Sequence, residues 1–499
     1  MLCGSKSVVA LAAATAALTA VLLYFQLGFA SNSVNEILDL PAYQGSINFR
    51  QYSGYLDADS SRRHLFYWFA ESQNEPSSDP LIVWLNGGPG CSSAYGFLVE
   101  VGPFTPDAEG ATLHANPHAW NKNANLLAIE SPAGVGFSYD DRGDFGSGDS
   151  RTAVENYEAL KHFFSKFSQF RRNDLYIFGE SYGGIYAPTL VQEILRGMED
   201  FPLNLKGFGV GNGLVDFNSI PPVLMRTAYD HGFLDETKWQ EMLDFCCSGL
   251  CSEDCIWADP SKPPECTRYF FDTVFLVWFE GLNVYDIHAD CYIDPDFPFP
   301  RPTGLPLPGN SVAESGLAAF SLTKGLLRAM LGETKAKEML RRRDMTQRRQ
   351  TSPCLFERPA YNYFNRPDVR RALHVPPRFD SVEWSYCSDL VGDNYTMEVY
   401  SVAEQTRLAV RNGLRTLFFW GDTDFAIPLG IGKKFVDNLG FQKYVPTRKW
   451  MDGDQIAGYY TKYDGAEFYT VKGAGHESAR GRPGPAWLML DAFLNNKEP

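Results

Sequence analysis

The serine in Gly179-Glu-Ser181-Tyr-Gly183 is the first residue of this sequence whose surroundings suggest chemistry. The pattern G-x-S-x-G is short enough to arise by chance in roughly a quarter of chains with this length and glycine content, so its context decides. Leu175 to Phe178 directly before it reads as a strand, and Ile185 to Met198 directly after it reads as a helix. Strand, sharp turn and helix form an elbow that leaves a serine oxygen exposed at the head of the helix. A serine hydroxyl is a poor nucleophile until a base takes its proton and a carboxylate holds that base in the right tautomer. Of eight histidines, His476 follows a strand ending at Val471 on the flexible loop Gly473-Ala-Gly475. Of sixty acids, Asp424 follows the strand Thr416 to Trp420 in Gly421-Asp-Thr-Asp424. Singly, a loop histidine or turn aspartate is ordinary. Three such residues, each just after its own strand, are the pattern of a catalytic triad.

The elements that must position them are legible as short apolar runs, each closed by a glycine-containing turn. Leu81 to Leu85 precedes Asn86-Gly-Gly-Pro-Gly90, and Leu126 to Ile129 precedes Glu130-Ser-Pro-Ala-Gly134. Runs of this length suit strands buried on both faces. Between them, Val154, Tyr157, Leu160, Phe163 and Phe164 recur at helical spacing within Thr152 to Phe167. The alternation predicts an α/β fold with a mostly parallel central sheet. The order Ser, Asp, His is that of an α/β-hydrolase. Two aromatic strands, Phe49 to Leu56 and His64 to Phe69, predict an opening hairpin, and Ala486 to Leu494 a closing helix.

The hydrolase core is expected at 31–213 and 401–499, with 214–400 as an inserted cap region. That insert holds a cysteine cluster, a proline-rich stretch from 295 to 308 and a basic linker. From Ser321 to Gln350 there are nine Lys and Arg against three Asp and Glu, which fits an exposed helix or a protease-sensitive linker.

The 499 residues are 44% hydrophobic and 21% charged, a globular composition. Acids outnumber bases 60 to 45, so no basic face is available for a phosphate backbone and nucleic acid is excluded as a partner. Lys6, the apolar run Val8 to Leu27 and the small residues of Gly28-Phe-Ala30 make residues 1–30 a secretory signal, with an uncleaved anchor as the alternative. Either route places the remaining chain in the secretory pathway, lysosomal or extracellular, with no stable membrane insertion once the signal is cleaved. Pairing is the default for cysteines in that oxidising compartment. Cys246, Cys247, Cys251, Cys255 and Cys266 predict a disulfide-stapled loop, because their spacing lacks the second ligand pair of a structural zinc site. Asn394-Tyr-Thr396 is the one glycosylation acceptor after the signal.

The sequence resembles the serine carboxypeptidases. The resemblance rests on Arg50-Gln-Tyr-Ser-Gly-Tyr55, Trp84-Leu-Asn-Gly-Gly-Pro-Gly-Cys-Ser-Ser93, Glu130-Ser-Pro-Ala-Gly-Val-Gly-Phe-Ser-Tyr139, Gly179-Glu-Ser-Tyr182, Gly421-Asp-Thr-Asp424 and Gly473-Ala-Gly-His476. Gly281-Leu-Asn-Val-Tyr285 and Gln455-Ile-Ala-Gly458 point to a lysosomal branch of the family. The resemblance implies Ser181 as nucleophile, His476 as general base and then acid, and Asp424 as its orienting partner. It implies an oxyanion hole from the backbone N–H groups of Gly88 and Tyr182, and a site for the peptide's terminal carboxylate at Asn86 and Glu180. A carboxyl placed beside a substrate carboxylate must be protonated to donate, which implies a reaction favoured at acidic pH.

By the same resemblance Cys91 pairs with Cys387, Cys246 with Cys266, Cys291 with Cys354, and Cys247 with Cys251 or Cys255. No cofactor or metal is implied, the substrates are peptides, and a homodimer is admitted. Two other functions remain open: acyl transfer to an alcohol on the same triad, and a non-catalytic role as stabilising partner of lysosomal glycosidases. The chain also departs from the family. Gly183 replaces the usual alanine, a change expected to be sterically harmless, and Glu477-Ser-Ala479 replace methionine, valine and proline after the histidine. Glu477 would thus put an acid in the leaving-residue pocket, there to attract a terminal Lys or Arg, unless it turns to solvent or pairs with Arg480 or Arg482.

Overall fold

A computed structural model describes residues 36–59, 62–248, 255, 257, 263–279, 282–291 and 357–499. The aromatic runs near the start pair as predicted, β1 (Gln51–Ala58) antiparallel to β2 (Arg63–Ala70). Next come β3 (Leu81–Leu85), β4 (Asn125–Ile129) and β5 (Leu175–Glu180), each buried along its length. They are followed by β6 (Leu205–Gly211), β7 (Arg415–Gly421), β8 (Lys443–Asp452), β9 (Gln455–Tyr463) and β10 (Ala466–Val471).

These ten line up as β1-β2-β4-β3-β5-β6-β7-β10-β9-β8 in an 11-stranded sheet whose remaining member, Tyr139–Asp140, pairs off β2. The stretch from β4 to β10 is parallel throughout, and an antiparallel hairpin closes each edge.

Successive side chains of a strand point to opposite faces, and here both faces are covered. Val83, Leu127, Ile177 and Phe418 enter one core, with helices α1 (Asp149–Lys166) and α2 (Gly183–Arg196). Trp84, Ala128, Phe178 and Phe419 enter the other, under the C-terminal helix Pro483–Leu494.

Two elements were not foreseen. In β6, Gly207, Gly209 and Gly211 lower the strand signal. They stand where neighbours crowd in: a Cβ on Gly209 would lie 2.3 Å from the Phe178 ring, and one on Gly211 2.4 Å from Phe419. The hairpin β8–β9 was missed because β8 is largely exposed and carries Lys443, Arg448 and Lys449 where an apolar alternation would be sought.

The described part of 214–400 does not form a body of its own. Helices Ile220–Asp230, Glu236–Cys247 and Pro264–Phe279 extend the first core through Leu224, Trp239 and Phe270. Arg358–Phe364 and Pro367–Ala372 extend the second through Tyr363, Phe364 and Val369. Disulfides join Cys91 to Cys387, Cys246 to Cys266 and Cys247 to Cys255. With Cys255 taken by Cys247, the alternative partner Cys251 lies outside the described residues. Cys291 is disulfide-bonded, and its expected partner Cys354 also lies outside them, as do the signal 1–30 and the basic linker 321–350.

Candidate active site

The loops after β3, β5, β6, β7 and β10 gather at one end of the parallel block, the carboxyl end where open α/β sheets bind ligands. Ser181 sits between the end of β5 and the start of α2 at φ 60°, a left-handed conformation that a non-glycine residue adopts only when its surroundings hold it. The Ser181 N–H donates to Gly211 O at 3.2 Å, while Ser181 O accepts from the N–H groups of Gly184 and Leu214 at 2.9 and 2.8 Å. The turn closes only around small residues. A Cβ on Gly179 would lie 2.1 Å from Gly183 O, and one on Gly183 would lie 2.6 Å from Leu85 O. Glycine at 183 is thus not interchangeable with alanine in this backbone: the family's alanine would need β3 and the elbow to move apart.

His476 is buried, with its Nδ1 2.8 Å from Asp424 Oδ2, and its own N–H donates to Tyr285 O at 2.6 Å. Asp424 is held by three further donors: Asn212 Nδ2 to Oδ2 at 2.9 Å, and the N–H groups of Ala426 and Ile427 to Oδ1 at 2.8 and 3.3 Å. Burial opposes a charged imidazole, yet Asp424 outweighs it and, with Glu477 and Glu100 nearby, raises the pKa of His476. Asn212 is the hub that the sequence did not reveal. Its Oδ1 accepts from the Gly421 N–H at 3.0 Å and from Ser478 Oγ at 2.7 Å, so it ties the ends of β6 and β7 to the histidine loop.

On the other side of the elbow, Asn86 Nδ2 donates to Glu100 Oε1 at 3.1 Å and Glu180 Oε1 at 3.4 Å, and Asn86 Oδ1 accepts from Trp84 Nε1 at 2.7 Å. Glu100, on the turn Phe97–Val101, was also missed in the sequence: an acid inside an apolar run has no motif to announce it. Glu100 and Glu180 hydrogen-bond to each other, and both are buried. Two carboxyls in contact cannot share a hydrogen bond unless one is protonated. Burial and mutual repulsion hold Glu180 well above the usual carboxylate range, and burial first, then Glu477, pushes Glu100 up to about 7.

Gly87 packs so closely on the elbow that a Cβ there would lie 2.2 Å from Tyr182 N, which brings the loop carrying Gly88 against the start of α2. Glu477, 8% exposed, does not face solvent. Its Oε2 accepts from Arg480 Nη1 at 2.7 Å, and the same Nη1 donates to Tyr95 Oη at 3.0 Å. Asn394 is exposed on the surface.

The serine carboxypeptidase family model matches residues 41–496. The chain belongs to the serine carboxypeptidase family. Among curated proteins it is 38% identical over 494 residues to lysosomal protective protein of Mus musculus, covering 97% of this chain and 99% of that one. It is 32% identical to serine carboxypeptidase ctsa-4.1 of Caenorhabditis elegans, over 94% of this chain and 95% of the other. Serine carboxypeptidase-like 27 of Arabidopsis thaliana is 34% identical over 93% of this chain and 92% of its own. Among solved structures, the prohormone-processing carboxypeptidase Kex1 of Saccharomyces cerevisiae shares the fold at TM-score 0.69 and 20% identity, over 93% of this chain and 96% of that chain. As a serine carboxypeptidase the chain is a hydrolase, and its α/β-hydrolase fold carries a serine, a histidine–aspartate pair and a buried cluster of acids at one end of the sheet.

Proposed function

We propose that this serine carboxypeptidase releases the last residue of peptides through an acyl-enzyme on Ser181 at acidic pH. The supporting observation is the Asn86–Glu100–Glu180 group beside the elbow, a set of buried hydrogen-bonding carboxyls suited to grip a substrate carboxylate. His476 takes the Ser181 proton as Oγ attacks the scissile carbonyl. Asp424 stabilises the imidazolium, and the backbone N–H groups of Gly88 and Tyr182 receive the developing oxyanion. The C–N bond then breaks as His476 hands the proton to the leaving amine. Water, activated by the same histidine, resolves the ester. Asn86 and protonated Glu180 donate to the terminal carboxylate throughout.

The disulfides support a secretory-pathway location, because pairing is the default in an oxidising compartment, and no helix among the described residues is long and apolar enough to cross a membrane. The acid dependence expected of Glu180 suits a lysosomal lumen. The test is incubation of wild type and Ser181→Ala with a fluorophosphonate probe and a blocked dipeptide at pH 5. Labelling and amino-acid release should both vanish in the variant while its folding cooperativity is retained. An alcohol acceptor added in parallel separates hydrolysis from ester formation, and release by the variant would overturn the assignment of Ser181.

A further inference from the structure

A cavity of about 570 Å3 opens between the start of the C-terminal helix Pro483–Leu494, the turn Trp120–Lys122 and Asp452 at the end of β8. None of the residues lining it belongs to the groups placed in the catalytic site above. Three cations stand in its wall, Lys122, Arg482 and, once protonated, His118, against the single acid Asp452. Acids outnumber bases 60 to 45 in this chain, yet none of these three makes an ion pair with an acid among the described residues. Arg482 donates from Nη1 to Lys472 O at 2.8 Å, which leaves most of its five N–H donors unspent. Like charges gathered in one place raise each other's energy, and an anion set among them relieves it. The helix start adds little to such a site, because Pro483 and Pro485 have no N–H and the Ala486 N–H already donates to Arg482 O at 3.0 Å.

The opposite wall is apolar, formed by Pro485, Trp487 and Leu488. Trp487 is half-buried and its Nε1 is the buried part, without a hydrogen-bond partner, so the portion of the indole that reaches the surface is carbon. Gly484 keeps the middle open. A Cβ there would come no nearer than 3.5 Å to the His118 ring and 3.8 Å to Asp452 Oδ2.

We propose that this cavity binds small organic anions in which a phosphate or sulfate ester is joined to a flat ring, the ester oxygens accepting from Lys122, Arg482 and His118 while the ring lies on Trp487 and Leu488. A tetrahedral oxyanion turns three oxygens outward, which matches three donors carried on separate segments, and a guanidinium fork suits two of them. Aromatic and aliphatic carbon beside a few charged donors is the usual make-up of a small-molecule site. The proposal does not depend on the peptidase reading.

The experiment is calorimetric titration at pH 5 with naphthyl phosphate, naphthyl sulfate, neutral naphthol and inorganic phosphate, on wild type, Lys122→Gln and Gly484→Phe. In wild type at least one ester should bind once per chain and at least tenfold more tightly than naphthol or inorganic phosphate, and the tighter of the two esters names the natural head group. Lys122→Gln should weaken it about tenfold, the scale of one charge-assisted hydrogen bond. Lys122 is exposed, so this substitution should leave the urea midpoint unchanged and report on the charge alone. Gly484→Phe should fill the cavity and abolish binding; if that variant does not fold, Lys122→Gln decides. No heat from either ester overturns the proposal. So does an ester that binds no better than naphthol or inorganic phosphate, and so does ester binding that Lys122→Gln leaves unchanged.

Discussion

Two residues at this site titrate against each other's purposes. In the proposed mechanism His476 must be neutral to accept a proton, yet Asp424 raises it, and Glu180 must be protonated to hold a carboxylate, which its burial and acidic neighbours favour. For peptides with a free carboxyl terminus, kcat/KM is therefore bounded on the acid side by His476 and on the alkaline side by loss of the Glu180 proton. Amidated peptides lack the charge that Glu180 recognises, so their profile should keep the acid limb and lose the alkaline one. Glu180→Gln should flatten the alkaline limb for acid substrates, because an amide donates at any pH. Matching profiles for acid and amide substrates in wild type would exclude this role. At this scale the sequence was legible where a residue type has few other reasons to stand in a glycine-flanked turn, as with Ser181, Asp424 and His476. It was silent for Asn212 and Glu100, whose importance lies only in what folding brings beside them.

Among the elements, strands with dense apolar side chains could be read and β6 could not, since its character is set by its neighbours. Gly209 leaves room for the Phe178 ring from β5, so the strand between nucleophile and aspartate owes its place to the absence of side chains. Gly209→Val should overpack this layer and destabilise the fold by about 1–3 kcal/mol. Urea denaturation should show a lowered midpoint at unchanged m-value, and an unaltered midpoint would mean the ring can move aside freely. A second tie runs from α1 to the elbow. Asp149 accepts from Tyr182 Oη and Tyr395 Oη at 2.8 and 2.9 Å, and from the N–H groups of Glu398 and Val399 at 2.7 and 2.8 Å. Tyr395 belongs to the glycosylation sequon, so the chain beside Asn394 is anchored beneath the nucleophile even though Asn394 itself is exposed.

For the whole molecule, buried acids make stability depend on pH. Glu130 is fully buried and pushed up to about 7 by that burial, against the pull of its donors Ser92, Phe137 N–H and Trp384 Nε1, and Glu100 is pushed up to a similar value. Both bind a proton more tightly folded than unfolded, where a glutamate titrates near about 4.3. Their contribution is therefore full below about pH 4.3, declines as pH rises, and is gone above about pH 7, a change on the order of a few kcal/mol for each. The urea midpoint should fall between pH 5 and pH 7.5, and Glu130→Gln should reduce that slope even if it lowers the midpoint throughout. A midpoint that rises over this range would show that other groups dominate.

The strand order also carries a consequence for biosynthesis. β6 lies directly beside β7 in the sheet, yet the chain between them runs from residue 212 to 414, and the aspartate and histidine follow only after that. A ribosome thus delivers the serine elbow long before its base. Under the proposed mechanism, every nascent or prematurely terminated chain that ends before residue 476 carries Ser181 without the base that would activate it. Errors in translation would then yield inert protein, and hydrolysis by this route would wait until the last strand of the sheet and the histidine loop after it have been made.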